Sequence, residues 1–583
     1  MKILGISAYF HDSAAALVVD GKVVAAAQEE RFSRRKHDSD LPVQAAAFCL
    51  AQAGLSMADV DHVVFHEKPL RKFERILVTG LRDFPATIPQ LTRSLTTWLS
   101  GRLWLKADIC QRLGCAPEQL LFGEHHLSHA ASAFLTSPFE RAAVITADGV
   151  GEWTTTAIHH GVTTPKGCRL EPIKELHFPH SIGLLYSALT AYLGFEVNDG
   201  EYKVMGLAPY GRPIFSDELS QLCRISPDAS LELDMRYFCF HRHPTRSFTP
   251  ALEKLLGPAR EPGSPLALPA VSSEDQRFAD IAASLQQLTE RYMLTLAHEA
   301  HRITGEENLC MAGGVALNSV ANHRVATEGP FRRVFVQPAA GDAGGALGAA
   351  LWATHVLHGV PRPSETASPL LGAAYAPDDI RRFLADCRVP HQAFSRREEL
   401  YAEVARRLDA GEVGGFFQGR FEWGPRALGA RSILADARDA GMKDRVNRKI
   451  KYRESFRPFA PAVLADEAPR YFHLHEGREE ALTPFMLTVV PVTDEGRTVL
   501  PAVTHVDGTA RVQTVRREES EALHDLLHAF RARTGVGVLL NTSMNLKDEP
   551  LCASPAEAYG VFARSELDFL VLEDCLVERR PHA

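Results

Sequence analysis

The order of the first elements constrains the fold more than any other feature of the chain. Residues 2–10 are apolar and alternate, residues 14–20 follow, and Asp20-Gly21, a dipeptide suited to a tight hairpin turn, leads into residues 22–31. Residues 42–54 read as a helix and residues 61–66 as a further strand. The pattern partly recurs downstream. Residues 141–147 read as a buried strand ending in Asp148-Gly149, and residues 152–160 as its partner. A duplicated α/β core is the expectation from this repetition.

The strand-strand-strand-helix-strand opening resembles the ribonuclease-H-like core shared by sugar kinases, actin and Hsp70. At 583 residues the chain is too long for one hydrophobic core. Its best linker candidate is HGVPRPSETASP at 358–369, three prolines among small polar residues. Beyond it, a helix at 399–411 and strands at 414–418 and 536–540 point to a second α/β domain, giving domains at 1–360 and 361–583. Residues 67–120, rich in Leu, Arg and Thr, read as a helical insertion or cap.

The apolar run at the amino terminus stops at His11 and Asp12, and no stretch of about 18 apolar residues follows. A cytoplasmic protein with no membrane partner is therefore expected. Ten scattered cysteines without C-x-x-C spacing argue against cysteine zinc sites and a disulfide framework. A net charge of −8 argues against nucleic acid as a partner. Residues 420–457 run against that background with 11 Lys/Arg and 5 Asp/Glu, a local excess of +6 suited to a concentrated anionic ligand.

Two groups of motifs carry chemistry. In GEHHLSHAASAF the alanine-rich tail favours helix, so His125 and His129 share one face and can chelate one divalent metal. A hydrogen-bonded histidine pair under a loop is the plainer alternative. Asp148 in TADGVGEW and Asp342 in PAAGDAGGALGAAL are glycine-flanked carboxylates, placed to hold a metal that bridges a phosphate, or simply to cap turns. Gly313-Gly314, between a strand and a helix, permits close contact with adenine or ribose, though a turn alone also explains it. His11, after the first strand, is a candidate general base if it is more than a surface-loop histidine.

The second group is GRFEWGPRALGARSILAD at 419–436 followed by NRKIKYRESFRPFAP at 447–461. Arg426 and Arg431 lie in a Gly/Pro-punctuated turn, and Lys449, Lys451, Arg453 and Arg457 follow at near-alternating spacing, as on one face of a strand. Converging guanidinium groups bind phosphate bidentately. Asn541-Thr542-Ser543 adds neutral donors and acceptors. A solvated charge run would not need the backbone fixed by Gly424-Pro425 and by PFAP at 458–461.

Taken in order, HDSAA, EERFSRRKHD, HHLSHAASAF, DGVGEW, EYKVMGLAPYG, GGVALN, GDAGGALGAA, GPRALGARSI, FRPFAP, VQTV and NTSMN resemble the motifs of the NodU/CmcH carbamoyltransferase family. Departures are Ala437 and Ala440, where the family often has proline, and Met544, where it often has Phe. The resemblance implies a duplicated ribonuclease-H-like (ASKHA, TsaD-like) domain that binds a nucleotide and a metal, commonly Fe2+, followed by a YrdC-like α/β domain. It implies His125, His129, Asp148 and Asp342 as metal ligands and His11 as the base for the acceptor. Arg426, Lys451, Arg457, Arg511 and Asn541 would hold carbamoyl phosphate and ATP, the latter with Mg2+. Lys36, Gly313, Gly314, Asn318, Arg431 and Arg453, in or beside the matching strings, join the cofactor-binding candidates.

The implied reaction cleaves carbamoyl phosphate, adenylates the carbamate with release of pyrophosphate, and moves the carbamoyl adenylate internally to the first site. The acceptor would be a small-molecule natural product such as an antibiotic, selected by segments such as 67–120 and 211–275, and the family allows a homodimer. A tRNA threonylcarbamoylation enzyme combines the same domain types, but the acidic chain has no basic stripe outside 420–457. An actin- or Hsp70-like ATP switch needs neither the histidine pair nor the arginine-dense second domain.

Overall fold

The computed structural model describes residues 1–579 except 244, 269–271, 365–367, 455 and 476. Part of the linker candidate, 365–367, thus lies outside the described residues. The chain divides into two compact units, Met1–Glu29 with Ser39–Ala367 and Glu30–Asp38 with Ser368–Ala583. The excursion Glu30–Asp38 joins the second unit through specific contacts. Arg31 Nη2 donates to the Gly424 carbonyl at 3.0 Å, and the Arg34 guanidinium donates to the Leu551 and Pro550 carbonyls at 2.8 and 2.9 Å. No composition shift marks it, so a division at 1–360 and 361–583 does not contain it.

In the first unit, β1 (Lys2–Ser7), β2 (Ala14–Val19), β3 (Lys22–Gln28), β4 (His62–Phe65) and β5 (Leu120–Phe122) lie in the order β3-β2-β1-β4-β5. The first three are antiparallel, while β4 runs parallel to β1 and β5 parallel to β4. Asp20 and Gly21 adopt φ of 48° and 83°, left-handed at both centres of the two-residue turn, as its geometry requires. The first strand ends at Ser7 rather than at residue 10, because the backbone turns left-handed at Tyr9, φ 70°.

A second sheet repeats the connectivity. Its strands β6 (Arg141–Ala147), β7 (Thr154–Thr164), β8 (Gly167–His177), β9 (Asn308–Ala312) and β10 (Arg333–Val336) are ordered β8-β7-β6-β9-β10 with matching strand directions. Helix His125–Phe134 packs on β6 and β9, helix Asp342–Leu351 packs on β1 and β2, and the two helices pack on each other. Small residues allow this approach: a Cβ on Gly348 would stand 1.8 Å from the Ser128 carbonyl oxygen. The insertion at 67–120 folds as helices Pro69–Arg82, Ile88–Ser100 and Leu105–Leu113.

The second unit is built on an eight-stranded mixed sheet whose central strands are Gly414–Phe417, Arg431–Asp436, Val538–Ser543 and Ala460–Leu464. Helices Arg397–Asp409 and Glu521–Thr534 pack together on one face through Leu400, Val404, Leu527 and Phe530, all buried. The strand expected across Lys449–Arg457 does not form. Asn447–Lys451 is a π-helical turn that ends at Tyr452 in a left-handed conformation, φ 47°, and the strand begins only at Ala460. Pro458 lacks an N–H for a ladder, and Ile450 and Phe456 are buried without one. All ten cysteines are free thiols. No helix among the described residues is long and apolar enough to cross a membrane.

Candidate active site

The ends of the parallel strands in the first unit bring the first motif group together, the usual place for ligands in an α/β sheet. Asp148 follows β6 directly, His11 lies in the loop after β1, Asp342 begins the Gly/Ala helix, and His125 and His129 occupy successive turns of their own helix. His125 Nε2 and His129 Nε2 each stand 3.1 Å from Asp148 Oδ2 and 3.1 Å from one another. Asp342 Oδ1 is 3.7 Å from His125 Nε2 and 3.5 Å from His129 Nε2. Backbone N–H groups of Gly149 and Gly314 donate to Asp148 Oδ1 at 2.8 and 3.2 Å, so the carboxylate is fixed with Oδ2 toward the histidines.

This donor set fits a divalent cation. Two ligand atoms about 2.1 Å from one ion stand ~3.0 Å apart at a right angle and ~3.4 Å at the tetrahedral angle, close to the spacings here. Two imidazole nitrogens and two carboxylates suit Fe2+, Mn2+ or Zn2+ better than Ca2+. The electrostatics agree. Burial opposes charge on Asp148, yet the His125 and His129 hydrogen bonds hold it well below the usual carboxylate range. Burial likewise opposes a charged His129, yet hydrogen bonds and charges from Asp148 and Asp342 raise its pKa to about 9, which shows that the carboxylates favour positive charge there. His11 Nε2 is 3.8 Å from Asp342 Oδ2, and its Nδ1 is 3.2 Å from Asp12 Oδ2. Burial lowers the His11 pKa, but Asp342, Asp12 and Asp148 carry it up to about 9.

The second unit assembles a separate cationic cluster. The Arg511 guanidinium makes no hydrogen bond or ion pair among the described residues. Burial, then the charges of Arg426, Arg453 and Arg457, hold it well below the usual arginine range. Three guanidinium charges acting on a fourth that has no partner among the described residues would be offset by an anion bound among them. Lys451 Nζ, 4 % exposed as a residue, meets only neutral acceptors, including Asn545 Oδ1 at 2.7 Å and the Asn545 carbonyl at 3.1 Å. Burial, then Arg453 and Arg457, lower its pKa well below the usual lysine value.

Residues 2–351 match the sequence pattern described as Carbamoyltransferase N-terminus, and residues 405–579 match Carbamoyltransferase C-terminus. The chain belongs to the carbamoyltransferase family. It is 46 % identical over 612 residues to an uncharacterized protein of Synechocystis sp., covering 99 % of this chain and 96 % of that one. It is 38 % identical over 583 residues to the nodulation protein NolNO of Sinorhizobium fredii, covering 98 % and 79 %. A 3'-hydroxymethylcephem-O-carbamoyltransferase of Amycolatopsis lactamdurans is 39 % identical over 270 residues, covering 46 % of this chain and 48 % of that one. A carbamoyltransferase family containing a named O-carbamoyltransferase makes this chain a transferase enzyme.

Several expected ligand residues of this carbamoyltransferase do other work. Arg431 begins a strand and is fully buried. Its Nη atoms donate to the carbonyls of Gln418, Ala430, Ala373 and Gly419, and its guanidinium carbon lies 3.5 Å from the Phe417 ring centroid. It staples the loop instead of facing an anion. Asn318 caps helix Ser319–Glu328 and exchanges two hydrogen bonds with Gln286, which occupies its amide. Asn541 lies within its strand, not at the end. Its Nδ2 donates to Gln513 Oε1 at 2.7 Å and to the Ala427 carbonyl at 3.2 Å, leaving only Oδ1 without a partner. A 3-10 turn, Gly314–Leu317, intervenes between Gly313 and the helix. Lys36 lies in the excursion that joins the second unit. Arg453 donates to Asn447 Oδ1 at 2.9 Å and stacks on Phe459.

Sequence reasoning missed the supporting carboxylates. Glu422 Oε1 gathers the N–H groups of Leu428, Ala430 and Arg431 at 2.8, 2.8 and 3.1 Å, and so shapes the turn that carries Arg426. Glu152 accepts from the His125 N–H at 3.1 Å and the Lys68 N–H at 2.7 Å. Glu152 stood in the DGVGEW string and Glu422 in GRFEWG, but a carboxylate bound to backbone N–H groups has no spacing signature.

Proposed function

We propose that this carbamoyltransferase forms carbamoyl adenylate from carbamoyl phosphate and ATP in its second unit. Its first unit then passes the carbamoyl group to a hydroxyl or amine of a small natural product, such as an antibiotic. In this reading the repeated five-stranded sheets are a duplicated ribonuclease-H-like (TsaD-like) fold, and the eight-stranded unit is YrdC-like. The observation that carries it is the presence of two unlike sites in two units. One is a histidine–aspartate cluster suited to a cation, the other a guanidinium cluster suited to phosphoryl groups.

Arg426, Arg453, Arg457 and Arg511 bind the anionic phosphoryl oxygens and offset the charge that grows as each phosphoryl bond breaks. Water cleaves carbamoyl phosphate to carbamate and phosphate. A carbamate oxygen then attacks the α-phosphorus of Mg2+-bound ATP, and pyrophosphate leaves. The adenylate supplies the leaving group that carbamate lacks, and shielding from water protects it. In the first unit, Asp12 orients the His11 ring through Nδ1. His11, held protonated by Asp342, Asp12 and Asp148, must first release its Nε2 proton. Nε2 then accepts the acceptor's proton as its oxygen or nitrogen attacks the carbamoyl carbon, so transfer rises with pH towards about 9. The C–O bond to AMP breaks, and AMP departs. His125, His129, Asp148 and Asp342 would hold a divalent ion, Fe2+ in this reading, which supplies Lewis-acid stabilisation of the adenylate phosphate.

The purified protein incubated with carbamoyl phosphate and ATP should release phosphate and pyrophosphate in equal amounts. Formation of ADP in place of pyrophosphate would exclude the adenylate. Free hydroxylated acceptors, but not tRNA, should increase AMP formation.

A further inference from the structure

Helix Pro69–Arg82 buries some of its charge and exposes several of its apolar side chains. Two of its charged residues turn inward: Lys72 pairs with buried Glu67 at 2.9 Å, and buried Arg75 donates to the Gly151 carbonyl at 2.7 Å. Leu70, Val78 and Leu81 face solvent, while Phe73, Ile76 and Leu77 are half-buried and Phe73 packs on Trp98. Leu70 and Leu81 are 71 % and 65 % exposed, and eleven helical residues apart they fall within roughly 20° of one another around the axis. Phe84, Leu99 and Trp104 continue the pattern at 61 %, 60 % and 68 %. Of the seven large apolar side chains at least 60 % exposed among the described residues, these are five. A soluble helix ordinarily buries its apolar stripe, and a cluster of this kind marks an interaction surface.

The charges interleaved with it identify the partner. Between residues 69 and 106 the exposed charged residues are Arg71, Arg82, Arg93 and Lys106 against Glu74 alone, in a chain of net charge −8. We infer that this helical hairpin docks the carbamoyltransferase on an anionic lipid surface. Leucine, phenylalanine and tryptophan enter the headgroup boundary while the basic residues meet lipid phosphates. A second copy of the chain is a poorer occupant, because a two-fold interface would set the four cations against their own counterparts. Side chains this exposed protrude, so they offer no groove for a small ligand.

The hairpin's other contacts reach the site. Arg102 donates to the Tyr9 carbonyl at 2.9 Å, beside His11, and Arg75 holds the loop after Asp148. Docking therefore sets these loops next to the lipid–water boundary and favours an amphiphilic acceptor. This inference departs from the expectation that no membrane takes part, and it does not rest on the adenylate reading.

Flotation of the full chain with phosphatidylcholine vesicles, with and without phosphatidylglycerol, tests this. The protein should float with the mixed vesicles, stay behind with pure phosphatidylcholine, and come off in high salt. Arg82→Gln and Arg93→Gln should each weaken partitioning about fivefold, and Leu81→Ser with Trp104→Ser should abolish it, with thermal unfolding unchanged. Equal binding to both vesicle types, no binding to either, or a dimer in light scattering that the Leu81→Ser/Trp104→Ser variant dissolves would overturn the inference.

Discussion

Substituting Gly348 with alanine should disable the first site from a distance. The new Cβ would lie 1.8 Å from the Ser128 carbonyl oxygen, whereas ordinary contact begins at 3.4 Å, so the two helices must part by about 1.6 Å. Ser128 precedes His129, and Gly348 shares a helix with Asp342. The same displacement would stretch the 3.5 Å between His129 Nε2 and Asp342 Oδ1 to about 5 Å. Two ligands of one ion cannot stand more than about 4.2 Å apart, twice the metal–ligand distance. Overpacking of this kind costs roughly 1–3 kcal/mol, so the fold should survive. Elemental analysis and isothermal titration with Fe2+ or Mn2+ should show lost metal affinity, with pyrophosphate release in the second unit unchanged. Gly560→Ala, whose Cβ meets nothing within 4 Å, is the control and should gain up to about 1 kcal/mol. Parental metal binding by Gly348→Ala would refute the claim that helix spacing builds the site.

Three further outcomes follow from the site's geometry. His129→Ala should lower metal affinity by more than the ~10–100-fold that losing an outer partner costs, as titration would show. His11→Asn should leave adenylate formation intact while transfer falls ~10²–10⁴-fold, and near-parental transfer would place the base elsewhere. In the ion-free protein the His129 proton adds stability that is complete below pH 6.5 and lost as pH rises through about 9. Chelator-treated protein should therefore lose on the order of 3 kcal/mol of stability over that window. Metal-loaded protein, whose ligands have already given up their protons, should not; melting curves across pH compare the two.

The first site was legible because its chemistry needs rare residue types at spacings that backbone geometry enforces. A helical i, i+4 histidine pair and an aspartate at a strand end keep their meaning in any surroundings. The first sheet was legible for a similar reason: Asp20-Gly21 can hardly serve except as a hairpin turn. Arginines are different. Arg426 and Arg431 stand in one turn with the same flanking glycines, and only the fold turns one toward the cationic cluster and buries the other among carbonyls. The alternation of Lys449, Lys451, Arg453 and Arg457 imitated a strand because period-two spacing of charges carries no information about burial. Asn318 and Asn541 looked like ligand donors, yet each amide spends its donors on protein partners far away in sequence. The exposed apolar side chains of helix Pro69–Arg82 were equally hidden, since periodicity reveals an apolar stripe but not the side on which it lies.

In the proposed function, adenylate formation and carbamoyl transfer belong to different units. Isotope exchange between labelled pyrophosphate and ATP, measured with and without carbamoyl phosphate, decides it. Exchange should require carbamoyl phosphate, persist in His129→Ala, and disappear in Arg457→Ala, where loss of a phosphate-binding guanidinium should cost roughly 2–5 kcal/mol. Exchange that needs no carbamoyl phosphate, or that vanishes in His129→Ala and survives in Arg457→Ala, would contradict it.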